Sequence, residues 1–114
     1  MFVRALYLSD NEFEHIGSEI RNLKSLRILA LRDNELVDLP EEIGELSALS
    51  ELHLQGNRLR VLPPSIGSLD FHSFRSVLKL DNNYWLPQIE KQLELGVSYV
   101  IEYFRTGISS YVFL

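Results

Sequence analysis

Apolar residues return along this chain at intervals that fit neither a continuous helix nor a long strand. Leu26, Leu29, Leu31, Asn34, Leu36, Leu39, Pro40, Ile43, Gly44 and Leu46 recur 23 residues later as Leu49, Leu52, Leu54, Asn57, Leu59, Leu62, Pro63, Ile66, Gly67 and Leu69. One period earlier stand Val3, Leu6, Leu8, Asn11, Phe13, Ile16, Ile20 and Leu23, with Gly17 where the later copies carry proline. A fourth, degenerate copy keeps Leu78, Leu80 and Asn83, displaced by an insertion near Asp70 to Ser73. Self-similarity at a fixed period is the mark of stacked structural units. Within each unit the Leu-x-Leu alternation predicts one short strand, in which 29 and 31 face a core while 28, 30 and 32 face outward. After the strand the chain must leave the sheet. An asparagine amide both donates and accepts there, so Asn11, Asn34, Asn57 and Asn83 read as fold residues rather than contact residues. Pro40 opens the return segment with φ already fixed, and Glu41 and Glu42 suit the positive end of a short helical turn.

The period and the wording Leu-x-x-Leu-x-Leu-x-x-Asn are those of the leucine-rich repeat. They predict an α/β solenoid, right-handed, with short parallel strands on its concave face. The repeats fall at about 3–25, 26–48 and 49–71, with a degenerate one at 75–86, so that 1–83 forms the repeat region and 84–114 a helical C-terminal cap and tail. Tyr84-Trp85-Leu86-Pro87 breaks the pattern, and Pro87 opens a helix in which Ile89, Leu93, Val97, Val100 and Phe104 form an apolar stripe. Gly96 interrupts it, which predicts two short helices at about 87–95 and 97–106. Trp85, Tyr99, Tyr103 and Phe104 read as cap packing. At the other end Met1 lies almost against the first strand, so the chain reads as the rear of a longer solenoid whose apolar N-terminal edge invites self-association.

Composition narrows the function classes. The chain has 114 residues, 46% hydrophobic, enough for one domain with a real core. No run approaches the ~18 apolar residues of a membrane span, and the N-terminus lacks a signal-peptide core. Together with the absence of cysteine this points to a cytoplasmic protein without thiolate zinc sites or cysteine nucleophiles. A net charge of −5 argues against nucleic acid as partner. Neither Gly-x-Gly-x-x-Gly, a P-loop nor His-Glu-x-x-His occurs. Of the three histidines, His15, His53 and His72, His53 alternates outward near Asp33 and Glu51, where a loose metal or acid–base site competes with an ordinary surface histidine. Ser50 and Ser76 lack triad spacing, and Glu41, Glu42 and Glu45 read as a solvated outer face. The expectation is a non-enzyme with no cofactor, no metal, no small-molecule substrate and no membrane insertion.

The informative positions are the outward ones, which repetition aligns in rows. One row is Tyr7, Ala30, His53 and Lys79; the next is Ser9, Arg32, Gln55 and Asp81, beside Asp10, Asp33, Gly56 and Asn82. On the other side run Ala5, Ile28, Glu51 and Val77, flanked by Arg4 and Arg27. Both charge signs mixed with tyrosine, isoleucine and histidine suit protein recognition. The candidate partner-binding residues are Tyr7, Asp10, Arg27, Arg32, Asp33, Glu51, His53, Gln55 and Lys79.

Beyond the generic motif, Leu29-Ala-Leu-Arg-Asp-Asn34, Glu51-Leu-His-Leu-Gln-Gly-Asn-Arg-Leu59, Val61-Leu-Pro-Pro64, Asp81-Asn-Asn-Tyr-Trp85 and Leu95-Gly-Val-Ser-Tyr-Val100 closely resemble the Ras suppressor family. The likeness runs from about Val3 to Arg105 and includes the non-repeat cap. It implies a cytosolic adaptor at integrin focal adhesions that binds a LIM domain of a PINCH-like adaptor, links to integrin-linked kinase and parvin, and restrains Ras signalling. The concave residues would then face the LIM domain. Family members carry further repeats ahead of the point matching Met1 and a basic tail beyond the cap; Gly17 and the tail Ile108 to Leu114 depart from their pattern. A second reading is a regulator of the Ras to MAP-kinase pathway that contacts a GTPase or a phosphatase.

Overall fold

The computed structural model describes residues 2–71, 73 and 75–106. Among them, strands β1 (Ala5–Tyr7), β2 (Ile28–Ala30), β3 (Glu51–His53) and β4 (Val77–Lys79) form one parallel sheet in sequence order. Five-residue 3-10 turns at Ser18–Asn22, Glu41–Glu45 and Pro64–Ser68 return the chain between strands, and helices α1 (Pro87–Leu95) and α2 (Val97–Arg105) follow β4. Equivalent leucines face each other, Leu6 against Leu29, Leu29 against Leu52 and Leu52 against Leu78. The last pair shows that the insertion ahead of β4 is absorbed in the loop after Leu69, where buried Phe71 joins the core. His72 and the tail 108–114 lie outside the described residues.

Stacking explains the burial pattern. Leu29, Leu31, Leu36, Ile43, Leu52, Leu54, Leu59 and Ile66 are completely buried, because their layers are covered on both sides, Ile66 by the second repeat and α2. Val3, Leu6, Leu8, Ile16 and Leu23 in the first layer are only partly covered. Pro40 and Pro63 precede their 3-10 turns at φ −73° and −63°, and Gly17 takes the same conformation at −74° without a ring. Successive turns touch. A Cβ on Gly44 would stand 2.5 Å from the Ser65 Cβ, while the Ser65 hydroxyl donates to the Glu41 carbonyl at 2.6 Å. Ion pairs Arg21–Glu42, Lys24–Glu45 and Arg58–Glu35 also cross between repeats, each exposed enough to contribute little.

The asparagines form a ladder. The Asn57 Nδ2 donates to the carbonyls of Leu54 and of Leu31, one repeat back, both at 3.0 Å, while its Oδ1 accepts the Leu36 N–H at 3.1 Å. Asn34 does the same with Leu31, Leu8 and Phe13, and Asn83 with Leu80, Leu54 and Leu59. The residue just before each asparagine is left-handed: Asp10, Asp33, Gly56 and Asn82 have φ of 59°, 56°, 77° and 58°. Aspartate, asparagine and glycine tolerate that region best, so the backbone constrains the residue types of this row. At the far end the Leu80 carbonyl has no further asparagine to meet, and the buried Trp85 Nε1–H takes the place at 2.7 Å. Trp85→Phe keeps an aromatic side chain there and deletes the donor. It is expected to cost about 0.5–1.5 kcal/mol in a urea titration, the net worth of one hydrogen bond, because the Leu80 carbonyl keeps the Asn83 amide as donor.

The cap differs from its predicted stripe. Gly96, at a positive φ of 137° and ψ 154° that glycine alone takes readily, separates α1 from α2 and resets the helical phase. Consequently Ile89, Val100, Ile101, Tyr103 and Phe104 are buried, whereas Val97 and Tyr99 stand 37% and 52% exposed. Tyr103 and Phe104 pack edge to face at 5.4 Å. Helix α2 continues the column of 3-10 turns by lying on the last of them, where the Arg105 guanidinium donates to the carbonyls of Gly67 (3.1 Å) and Leu69 (3.0 Å).

Candidate protein-binding face

The register puts Tyr7, Ala30, His53 and Lys79 side by side on the face of the sheet away from the leucine core. Tyr7 is 68% exposed and Lys79 is exposed, but Ala30 is 7% exposed. Its side chain points outward as the alternation requires; a methyl group between a tyrosine and a histidine is simply overtopped. The result is a hollow of 370 Å³ lined by Tyr7, Ser9, Ala30, Arg32 and His53.

Below this row the ladder continues past the strands, with the N–H groups of Asp10, Asp33 and Gly56 donating to Arg32, Gln55 and Asp81 at 2.9 to 3.0 Å. Arg32 bridges two carboxylates, Asp33 at 2.7 Å and Asp10 at 3.2 Å. The hydrogen bond to Asp33 first, and then the charge of Asp10, raise its pKa above the ordinary arginine value. Arg32 is thus a cation paired with two carboxylates at the exposed edge of the face. The Gln55 Oε1 is buried without a hydrogen-bond partner among the described residues. His53 Nε2 and Glu51 Oε2 stand 3.3 Å apart on β3.

Tyr7, Arg32, Glu51, His53, Gln55 and Lys79 thus share one continuous surface. Asp10 and Asp33 lie at the bends below it and turn to Arg32, and Arg27 stands ahead of β2 next to Arg4, whose carbonyl accepts the Arg27 N–H at 2.8 Å. The imagined His53, Asp33 and Glu51 site is not assembled: Asp33 is engaged by Arg32, and no group of three metal-ligating side chains occurs among the described residues. A wider, open hollow of 750 Å³ lies at the first bend among Asp10, Asn11, Glu12, Phe13 and Asp33. Sequence reasoning missed Ser9 and Ala30 as lining residues, because neither carries the charge or aromatic character that signals recognition. The usable signal was the size contrast of Tyr7, Ala30 and His53 along one row.

Comparison with known proteins agrees with this architecture. A family model for the leucine-rich repeat region matches residues 1–94. The chain is 61% identical over 111 residues to human Ras suppressor protein 1; the match takes in 97% of this chain and 40% of that protein, so the chain spans about two fifths of the relative's length. Among solved structures, a leucine-rich-repeat protein of Leptospira interrogans superposes with a TM-score of 0.74 at 34% identity, over 85% of this chain and 24% of that one. A plant ice-binding protein matches with a TM-score of 0.59 at 28% identity, over 73% of this chain and 27% of that one. With its 23-residue units, single parallel sheet, asparagine ladder and matching family model, the chain belongs to the leucine-rich-repeat proteins.

Proposed function

We propose that this chain is a non-enzymatic protein-binding scaffold whose outward sheet face docks a LIM domain, in a cytoplasmic adaptor role at adhesion sites that restrains Ras signalling. The observation carrying it is a contrast within the repeats. Positions that the fold demands repeat nearly unchanged, as leucine, asparagine and glycine, while the outward positions differ from strand to strand: Ala5, Ile28, Glu51 and Val77, or Tyr7, Ala30, His53 and Lys79. Core packing accounts for the first set and not for the second. The surface it leaves has an exposed aromatic, a hollow and fixed charges of both signs, the chemistry of a recognition patch. Its similarity to Ras suppressor protein 1 supports placing the partner in that signalling setting. No described helix is long and apolar enough to cross a membrane.

The test is a calorimetric titration with a zinc-loaded LIM domain of a PINCH-type adaptor. Arg32→Glu combined with His53→Asp is expected to weaken binding about thirty-fold, the effect of losing a central contact cluster. Glu42→Lys, on the outer side, is expected to change it by less than about threefold. Circular dichroism of both variants should match the parent, since none of these side chains enters the core. Equal loss from both would place the contact surface elsewhere.

A further inference from the structure

Resting on the face reading above, we propose that the hollow over Ala30 is a socket for one aromatic side chain of a protein partner, presented next to a carboxylate that meets Arg4 and Arg27. Tyr7 and His53 flank Ala30 in register on the two neighbouring strands. Strands lie about 4.8 Å apart, so a ring seated on the Ala30 methyl stands roughly 5 Å from each of the two rings, the separation at which aromatic pairs attract. At 370 Å³ and open on one side, the hollow sits near the lower end for small-ligand pockets and suits a single inserted side chain.

Charge selects the neighbour of that ring. The face and its rims carry four cations (Arg4, Arg27, Arg32, Lys79) and four carboxylates (Asp10, Asp33, Glu51, Asp81) in a chain of net charge −5. They are not mixed evenly. Asp10 and Asp33 are taken up by Arg32 and Glu51 adjoins His53, whereas Arg4 and Arg27 stand together ahead of β1 and β2 and make no ion pair among the described residues. Three residues of extended chain, about 10 Å, separate Arg27 from Ala30. An aspartate or glutamate two to four positions from the inserted ring therefore reaches the arginines.

Panning phage-displayed random dodecapeptides on the immobilised full chain tests this. Enriched sequences are expected to carry Trp, Tyr or Phe with an acidic residue two to four positions away. A synthetic peptide of that consensus is expected to lose about tenfold in affinity to Tyr7→Ala, which removes one wall without touching the core, and about as much to Ala30→Leu, which fills the floor. Arg4→Glu with Arg27→Glu should select against the acidic residue. A consensus without an aromatic, or full affinity in Tyr7→Ala and Ala30→Leu, overturns the socket, as does failure to enrich any sequence. Peptides that ignore the socket variants but lose affinity on Arg32→Glu with His53→Asp would leave the wider face standing and the socket gone. Peptides indifferent to all of these variants would count against both.

Discussion

Asn57→Ala should lower stability by about 3 kcal/mol in a urea titration followed by Trp85 fluorescence, while Asn11→Ala should cost less than about 1 kcal/mol. The two residues occupy the same place in their repeats, so the difference comes from their neighbours. Asn57 is 5% exposed and joins three segments; its loss leaves the Leu36 N–H without an acceptor and removes one donor each from the carbonyls of Leu31 and Leu54. Those carbonyls keep a second donor, from Asn34 and Asn83, which is why the expected loss stays near the cost of one orphaned N–H plus a small cavity rather than the sum over every bond. Asn11 is exposed and, among the described residues, bonds only the Leu8 and Ser9 carbonyls, and Asn34 already serves Leu8. Equal losses at both positions would show that the ladder contributes locally and does not couple repeats.

Gly67→Val is expected to lift the cap, at a cost of about 3 kcal/mol. A Cβ at Gly67 would lie 2.6 Å from the Arg105 nitrogen and 2.7 Å from its Cα, with the Phe104 carbonyl carbon at 2.9 Å. These are backbone atoms of α2, unable to swing aside as a side-chain tip does. The helix must shift bodily, which breaks the two guanidinium bonds to Gly67 and Leu69 and uncovers Val100, Ile101 and Phe104. Gly17→Ala is the matched control, since its φ of −74° suits any residue and the nearby group is the mobile Glu19 carboxylate; it should shift stability by no more than ~0.5 kcal/mol. Hydrogen exchange resolves the site. Amides of 97–106 should lose protection in Gly67→Val while those of β2 and β3 keep it.

What could be read beforehand was whatever the backbone demands in every repeat. Leu29, Leu52 and Leu78 come to lie in register, Asn34, Asn57 and Asn83 satisfy the bends, and the helices divide at Gly96, because each follows from a period or from a residue whose conformational options are few. What escaped reading was contact without a period. Arg105 grips carbonyls 36 and 38 residues away, Ala30 is sheltered only because of what stands on the adjacent strands, and Val97 left the apolar stripe once Gly96 reset the phase of α2. The row Asp10, Asp33, Gly56 and Asn82 was legible as a row but not as a left-handed one. Its residue types answer to φ as much as to any partner, so Arg32, which draws Asp10 and Asp33 together, is the more informative member of that corner of the face.

The ladder has a consequence for how such a chain can change length. Each asparagine reaches its own repeat and the one before it and no farther, and the second and third repeats offer the same leucines, asparagine and glycine 23 residues apart. Removing 26–48 or duplicating it would bring equivalent donors and acceptors back together, with Trp85 still closing the final carbonyl. The frame is therefore indifferent to repeat number in a way that the face is not. Such a deletion would bring Tyr7 beside His53 and Ser9 beside Gln55, deleting Ala30 and Arg32 from between them. Gain or loss of whole units is thus a route by which this architecture exchanges one recognition surface for another while keeping the same closure.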